Sequence, residues 1–504
     1  MKKNIVKTFS LVFVITAISK CLGLLRDIVF AKYYGTGYVS DAFFAATRIP
    51  TQLVDIILSS AIVSTFVPIF NQILQKDGRE KANHFANNFV NIVALISSAI
   101  AILGILFAPQ VVHLLAGGFD AETFNLTVEL IRITFPMIIF TAIAYSLVGL
   151  LQSYGEFNIP AAISAVSNLV IIIFLVLFRE KFGIHGLAAC MLFAWFLQVA
   201  IQIPFAKKFG YPFHLKVNLK DENIKNVFLL AIPVFISTAV LPINNLVSTR
   251  IASGMGDNAL SAMEYAYKLY VVISGIFTYA IGNIIFPEMS RASADNDKKE
   301  YQEIILKALR MMCYVLIPLS IGIMIYRQDI VSVIYERGEF DALSTLRTSS
   351  ILMYFAFGII GAGIVEIMNK AFYAKQDTKS PLIAGVIMVV LNVVLCLIFS
   401  KIIGVEGLAL ATSLTALANA ITLIVMANRK EKMIDRTFLL TIAKMIGASL
   451  VMGLVVVLLN NWLVGVLSFK IVRMGIGAVI GVVTYYALTY LLNVDEIKIL
   501  GRRN

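Results

Sequence analysis

Charged residues are scarce in this chain of 504 residues: they make up 14% of it, against 59% hydrophobic residues and a mean hydropathy of +0.86. Soluble domains carry about 25% charged residues, so this composition excludes a soluble protein. Cysteine is equally rare, and its four residues all fall in apolar runs, which argues against a disulfide framework. The four histidines are dispersed without the spacing of metal ligands. No metal site and no cofactor are therefore expected.

Long runs of apolar residues make up most of the sequence. About 20 consecutive apolar residues cross a bilayer as a helix, and runs of roughly that length recur throughout the sequence. The predicted fold class is an all-α polytopic membrane protein with about 14 transmembrane helices. Glycine, proline and charged residues divide the runs into candidate spans near 7–30, 38–72, 84–108, 122–153, 158–178, 184–206, 224–252, 259–290, 303–325, 344–374, 380–400, 405–427, 438–459 and 470–492.

Lysine and arginine predict the orientation. If the N-terminus is inside, most basic loop residues fall on the inner side, as membrane proteins of this class require. This pattern predicts a multi-pass membrane protein with an even number of spans and both termini cytoplasmic. It also accounts for the net charge of +12 through contact with anionic membrane lipids, so no nucleic-acid partner is expected. The basic start of the first apolar run resembles a signal peptide, but no small-residue cleavage site follows it cleanly, and a retained first helix is expected.

Three pairs of segments recur at one displacement of 221 residues: GGFDA at 117–121 with GEFDA at 338–342, Pro160 with Pro381, and GIHGLA at 183–188 with GVEGLA at 404–409. The recurrence predicts two parallel six-helix repeats, at 1–220 and 221–430, followed by two additional transmembrane helices and a cytoplasmic tail at 431–504. Transporters built from parallel repeats place a central cavity between the halves and alternate its access.

Several charged residues interrupt the apolar runs, where each costs about 2.5–3.5 kcal/mol on insertion scales unless it faces a cavity or a partner. Their simplest interpretation is ion pairing or proximity to the interface, which we favour for Glu129, Arg132, Arg250 and Arg347 near the span ends. A functional interpretation is favoured for a second group. Cations around a cavity would bind an anion, and phosphate suits arginine especially. The residues of this group are Arg26, Asp27, Arg48 and Lys268, to which we add Lys20, Asp41 and Glu264 as neighbours on the same helices.

The stretch SKCLGLLRDIVFAKYYGTGYVSDAFFAATRIP, residues 19–50, resembles the opening of the MurJ (MviN) family of flippases for the lipid-linked peptidoglycan precursor. The later segments YAYKL, FPEMSR, RGEFDA and AFYAKQDTKSP are similar to corresponding segments of that family, and the likeness covers essentially the whole chain. The resemblance implies a transporter and not an enzyme, with roles in peptidoglycan biosynthesis and cell shape. Its partners would be a lipid-linked anionic substrate, membrane lipids and, transiently, the cell-wall synthesis machinery; a monomer is expected.

The resemblance also assigns residues. Arg26 and Asp27 match the family's Arg-Asp pair, Asp41 the aspartate of its Asp-Ala-Phe-Phe segment, and Lys268 its basic residue on the eighth span. Lys20 stands where the family usually has arginine, and Arg48 at the basic position before Pro50. Some members bind sodium through carboxylates on spans 7 and 11. The matching positions here are Thr249 and Cys396, which argues against such a site.

Other functions remain open at this point. A flippase for another polyprenyl-linked glycan would have the same architecture. A drug/cation antiporter of the same superfamily would favour acidic cavity residues, whereas this chain places arginine and lysine there. A membrane enzyme acting on polyprenyl lipids would need a catalytic constellation, and the sequence has no H-E-x-x-H motif, no Walker A motif and no histidine cluster.

Overall fold

The computed structural model describes residues 2–54, 62–256, 258–295, 297–430, 433–467 and 469–494. Every regular element in these ranges is helical, which confirms the all-α prediction. In chain order the α-helices are α1 Lys2–Tyr34, α2 Tyr38–Arg48, α3 Val67–Asp77, α4 Arg79–Leu106, α5 Ala108–Ala116, α6 Ala121–Thr134, α7 Met137–Ser153, α8 Asn158–Leu177, α9 Arg179–Ala200, α10 Ile203–Lys208, α11 Glu222–Ala252, α12 Ala259–Ala294, α13 Lys298–Tyr335, α14 Ala342–Ala374, α15 Lys379–Ile403, α16 Glu406–Lys430, α17 Arg436–Val464 and α18 Lys470–Leu491.

Within the described ranges, ten helical stretches are long and apolar enough to cross a membrane. An eleventh is reached if α12 counts as one span, because it bends by 42° between Ala259–Thr278 and Ile281–Ala294. The expected number of about 14 is thus not reached among these residues and stays a prediction. The first two predicted spans are not among these ten. In α1, the charged residues Lys20, Arg26 and Asp27 interrupt the apolar sequence, and α2 has only 11 residues.

Aspartate defines the start of five helices. In each case the residue before the helix accepts a hydrogen bond from a backbone N–H of the first turn, which satisfies a donor that has no partner within the helix. The carboxylate also lies at the positive end of the helix dipole. These residues are Asp120 before α6, Asp221 before α11, Asp297 before α13, Asp341 before α14 and Asp435 before α17, with N···O distances between 2.7 and 3.2 Å.

Local geometry recurs at the displacement found in the sequence. Asp120 and Asp341, which are 221 residues apart, cap the equivalent helices α6 and α14. Gly183 and Gly404, at the same displacement, both have a positive φ, of 55° and 69°. Glycine adopts this left-handed conformation without the steric penalty of a Cβ atom. These paired details support a repeat over 117–188 and 338–409. The repeat boundaries at 220 and 430 stay predictions.

The chain divides into two compact units, the first comprising Met1–Ser261 with Gly338–Phe340, and the second Ala262–Arg337 with Asp341–Asn504. The core of the first unit contains an aromatic stack in which the Phe66 ring lies 4.7 Å from that of Phe89 and 5.7 Å from that of Phe85. The short segment Gly338–Phe340 also packs in this unit, because the Glu339 N–H donates to the Lys32 carbonyl at 2.9 Å. Gly338 has φ 61°, and a Cβ at this position would overlap that carbonyl oxygen.

The second unit joins its helices through small residues and through one buried ion pair. Gly358 and Gly361 of α14 lie directly against the backbone of α16, since a Cβ on either would meet backbone atoms of Ser413 or Ala416. Close backbone approach of this kind is typical of helix packing in membranes. At the start of α18, Arg473 donates to both carboxylate oxygens of Asp329 on α13, at 2.9 and 3.0 Å. Both side chains are mostly buried, with 12% and 15% of their surface exposed.

Candidate functional site

Arg26 and Asp27 form an ion pair on α1. The Arg26 Nε and Nη2 atoms lie 3.2 and 2.9 Å from Asp27 Oδ1. Successive helical positions point about 100° apart, so the long arginine side chain must bend round the helix to reach its neighbour. The Arg26 side chain is 28% exposed and that of Asp27 12%. Arg26 is thus paired with a carboxylate of its own helix, and the contact of either residue with substrate stays a prediction.

Arg48 ends α2 and is only 4% exposed. The chain continues from it into a π-helical segment, Ile49–Val54, which contains Pro50. Proline cannot donate a backbone hydrogen bond, and π-helical turns within helices are frequent at functional sites. A buried guanidinium inside an apolar helix is expensive and is seldom retained without a task. The predicted continuous span over 38–72 is thus interrupted immediately after the arginine.

Asp41 has a structural task that the sequence did not reveal. It is 1% exposed, and its Oδ1 accepts the Ser261 N–H at 2.7 Å while its Oδ2 accepts the Asn258 N–H at 3.0 Å. These donors lie at the start of α12, so a side chain of α2 caps a helix that begins more than two hundred residues later. The carboxylate is favoured there by the helix dipole. Its predicted contact with substrate stays a prediction.

Glu264 and Lys268 lie one turn apart on α12 in the second unit. Glu264 is 5% exposed, whereas Lys268 is half-buried with its Nζ 5.9 Å from the centroid of the Tyr265 ring. Tyr265 is fully buried and packs at 5.0 Å against the ring of Tyr335. An ammonium group near an aromatic face gains about 0.5–2 kcal/mol, so the Tyr265 ring is a favourable neighbour for the Lys268 side chain.

Lys20 is exposed on α1 and lies next to Ser19, which is 6% exposed. Ser19 faces α8: its carbonyl accepts from Asn168 at 3.3 Å, and its hydroxyl donates to the Ala161 carbonyl at 3.2 Å. This contact fixes the face of α1 that packs on α8. Lys20 is thereby left on an exposed surface of the first unit, and its contact with substrate stays a prediction.

The remaining charged residues follow the structural interpretation. Glu129, Arg132, Arg250 and Arg347 are all exposed near helix ends, and Glu129 pairs with His185 at 2.8 Å. A further ion pair joins two residues at i,i+4 spacing on α14, with 3.3 Å between Lys370 Nζ and Glu366 Oε1. Lys370 also donates to Asn283 of α12 at 2.7 Å, so this pair joins two helices.

Sequence reasoning missed a polar cluster where α13, α14 and α18 meet. Lys470 donates to Ser332 at 2.6 Å and lies 3.6 Å from Glu336, which also accepts from Thr345 at 3.1 Å. A hydrogen bond from the Ser332 side chain, together with the Lys470 charge and the Thr345 hydrogen bond, holds the pKa of Glu336 below its usual value, against the opposing effect of burial. The available signal was the spacing of Asp329 and Glu336, which lie seven residues apart and therefore on one helix face.

Thr249 and Cys396, the two positions considered for a sodium site, each form a hydrogen bond with a residue of their own helix. Asn392 donates to the Thr415 hydroxyl at 3.2 Å, and the Cys396 thiol donates to Asn392 Oδ1 at 3.3 Å. Thr249 is 1% exposed and donates to the Asn245 carbonyl. In the part of the chain that the structure describes, no three His, Cys, Asp or Glu side chains come together as metal ligands would.

Comparison with known proteins finds chains that are similar to this one in sequence and in fold. A model of the family described as "Lipid II flippase MurJ" matches residues 30–474. The chain belongs to this MurJ family. A probable lipid II flippase MurJ of Rhizobium tropici is 28% identical over 99% of this chain and 96% of its own length. A solved structure described as lipid II flippase MurJ in an inward closed conformation is 27% identical, with a TM-score of 0.83 over 97% of this chain and 99% of the other.

A multidrug resistance transporter of the MATE family, in an inward-facing conformation, shares the fold alone. It is 13% identical, with a TM-score of 0.70 over 83% of this chain. Membership of the MurJ family confirms the recognition made from residues 19–50, and it confirms a transporter and not an enzyme. Together with the apolar helices it places the chain among the multi-pass proteins of the bacterial inner membrane. The orientation of the termini stays a prediction.

Proposed function

We propose that this protein flips lipid II, a polyprenyl-diphosphate-linked peptidoglycan precursor, from the inner to the outer leaflet by alternating access. The observation that carries the proposal is family membership over nearly the whole chain, with relatives and a solved structure described as lipid II flippases. The similarity to the solved structure extends over 97% of this chain and 99% of the other, which supports the proposal for the chain as a whole.

Arg26, Arg48 and Lys268 are the proposed ligands of the diphosphate. Each is a cation on a helix whose neighbouring residues are mostly apolar, and each is at least partly shielded from solvent. Arginine donates to two phosphate oxygens at once, whereas lysine acts as a point charge. In this proposal Asp27 neutralises Arg26 in the resting protein and is displaced when the phosphate oxygens take its place. Lys20 offers a further positive charge on the accessible side of α1, and Glu264 adjusts the charge beside Lys268.

Exchange of ion pairs would couple binding to transport. Without substrate, the cations need their carboxylate partners or repel one another; with a bound diphosphate, the net charge of the site falls. A ligand shifts a conformational equilibrium only through different affinities for the two states, and the neutralised charge supplies that difference. The membrane potential, positive outside, adds about 2.3 kcal/mol per negative charge per 100 mV toward the outer leaflet.

The test is transport in cells that depend on this protein. Appearance of lipid II in the outer leaflet would be measured with a membrane-impermeant reagent that cleaves the exposed head group. The double substitution Arg26→Ala with Lys268→Ala should abolish the signal, and Arg26→Lys alone should reduce it, since the forked donor is lost while the charge remains. Arg132→Ala, at an exposed helix end, is the matched control. Undiminished flipping in the double variant would overturn the assignment of these residues.

The head group itself needs a separate measurement. Mass spectrometry of lipid that copurifies with the protein should identify a polyprenyl lipid whose diphosphate carries the peptidoglycan precursor. A different polyprenyl glycan in its place, with transport of that lipid, would keep the flippase mechanism and reject lipid II as the substrate.

A further inference from the structure

The segment between α10 and α11, residues 209–221, is bound along its length by asparagine side chains of α4. We call this segment the linker. The asparagines are Asn83, Asn87, Asn88 and Asn91, which occupy one broad face of the helix. They contact linker backbone groups of Phe209, His214, Lys216 and Asn218 at distances between 2.6 and 3.1 Å.

Two of these asparagines act as a neighbouring strand would. Asn87 donates to the His214 carbonyl at 2.6 Å and accepts the His214 N–H at 3.1 Å. Asn88 does the same for Asn218, at 2.9 and 2.7 Å. Each thus satisfies both backbone groups of one linker residue, which an extended segment otherwise obtains from an adjacent strand. The linker backbone is therefore held by α4 without belonging to a sheet.

Apolar side chains anchor both ends of the linker region. Tyr211 is 5% exposed and belongs to the core of the first unit, as do Ile224 and Val227 at the start of α11. The Tyr211 ring also meets that of Phe213 edge-on, with 4.5 Å between centroids. The residues between these two attachments are exposed. Fixed ends and a fixed backbone mean that the direction of the exposed side chains is set by the fold.

Those side chains alternate in character. Phe213, Leu215, Val217 and Leu219 are 39%, 100%, 46% and 63% exposed, and polar residues separate them. Burial of one such side chain contributes about 1.5–3 kcal/mol, so a row of four left in water is unfavourable. Strands with one buried face show the opposite arrangement, with the apolar residues turned inward. We therefore expect this apolar row to be buried by contact with lipid or with another molecule.

The position of the row indicates what covers it. Asn91, which binds the carbonyls of His214 and Lys216, lies four residues before Leu95, where the exposed apolar surface of α4 begins. Four residues are about one helical turn, or 6 Å. Leu215, between those two carbonyls, thus lies about one helical turn before the exposed apolar surface of α4. Since α4 is long and apolar enough to cross a membrane, this level is where a bilayer interface would lie.

Charge near the row agrees with this position. Five lysines lie between residues 207 and 225, against two acidic residues, and Lys207 Nζ is 5.8 Å from the Phe213 ring. Each basic residue beside an anionic leaflet contributes about 1 kcal/mol to binding. The orientation predicted by the sequence places this side of the protein at the cytoplasmic leaflet, which is the anionic one.

We propose that the linker is a membrane-interface anchor, in which the row Phe213, Leu215, Val217 and Leu219 inserts among the lipid head groups while the adjacent lysines bind anionic lipid. The asparagines of α4 are the support of this anchor, because they present the row at a fixed height. This interaction with bulk lipid is separate from the transported substrate and does not depend on the proposed function.

The test uses the full-length protein in vesicles, with an environment-sensitive fluorophore on a single cysteine. The four native cysteines are replaced, and the probe is attached at Leu215→Cys or, as the matched control in the same linker, at the exposed polar neighbour His214→Cys. In vesicles of phosphatidylcholine and phosphatidylglycerol, the probe at 215 should be quenched several-fold more strongly than that at 214 by quencher-bearing acyl chains, and less by aqueous iodide. Equal iodide access at the two positions would overturn the proposal and point to a protein as the cover, since the purified protein has no partner in the vesicle.

Two further arms test the charge and the support. Omitting phosphatidylglycerol, or adding salt, should lower the quenching at 215, because screening weakens surface electrostatics; unchanged quenching would reject the role of the lysines. The double substitution Asn87→Ala with Asn91→Ala should release the row and reduce quenching, whereas Asn125→Ala on α6 should not. Persistent quenching in the double variant, with unchanged elution on size exclusion, would reject the asparagine support.

Discussion

The cap that Asp41 provides for α12 leads to a prediction that separates a structural role from a ligand role. Asp41→Ala removes both carboxylate oxygens and leaves the N–H groups of Asn258 and Ser261 without this acceptor. A hydrogen bond to a charged group contributes about 1.5–3 kcal/mol, and a buried amide without an acceptor costs about 1–3 kcal/mol. With the side chain 1% exposed, solvent does not replace the lost acceptor. We expect a loss of about 2–4 kcal/mol, allowing for partial relaxation.

The stability of Asp41→Asn should lie between that of the wild type and that of Asp41→Ala. The asparagine keeps one oxygen for the Ser261 N–H, but its amide group turns a donor toward the Asn258 N–H. Asp120→Ala is the control, because that residue is exposed and caps α6 through one longer bond of 3.2 Å. The assay is the fraction of monodisperse protein that survives stepwise heating, with lipid transport measured at a temperature where all variants stay folded. The expected order of stability is wild type, Asp120→Ala, Asp41→Asn, Asp41→Ala.

One result would refute this reasoning. If Asp41→Ala melts like the wild type and yet abolishes transport, the carboxylate acts on the substrate and the cap contributes nothing measurable.

Three further outcomes are expected in the same heating assay. Arg473→Met should lower the free energy of unfolding by about 3–5 kcal/mol, because it leaves the mostly buried Asp329 carboxylate unpaired. Replacing both residues by methionine should recover part of this loss. Losses that simply add in the double variant would contradict the pairing. Gly338→Ala should be far more damaging than Gly78→Ala, since both have a positive φ but only at Gly338 would the new Cβ overlap a carbonyl oxygen; equal losses would contradict that contact. Hydrogen bonds from the backbone and hydroxyl of Ser344 lower the pKa of Asp341. The ionised carboxylate therefore stabilises the folded protein at pH values above the usual carboxyl range near about 4. This contribution disappears as pH falls through the lowered pKa. Asp341→Asn should therefore differ from the wild type at neutral pH and converge with it in acid; a constant difference would contradict the assignment.

The extent to which sequence predicts this protein depends on how local the relevant interaction is. The Glu366–Lys370 ion pair followed from i,i+4 spacing, because helix geometry alone brings those side chains together. The asparagines of α4 are one helix face in the sequence, but nothing local indicates that they bind the backbone of a segment more than a hundred residues away. The cysteine and histidine patterns were informative only because they argued against a disulfide framework and a metal site.

By itself, the sequence determined the all-α membrane class, the recurrence at 221 residues and the family. Each of these rests on hydropathy, periodicity or a contiguous motif, which are properties of neighbouring residues. Only the tertiary structure decided that Asp41 caps α12, that Arg473 pairs with Asp329, and that the asparagines of α4 bind the linker backbone. These are contacts between residues far apart in the chain, and they depend on how helices pack, a choice that the local preferences of the residues do not make.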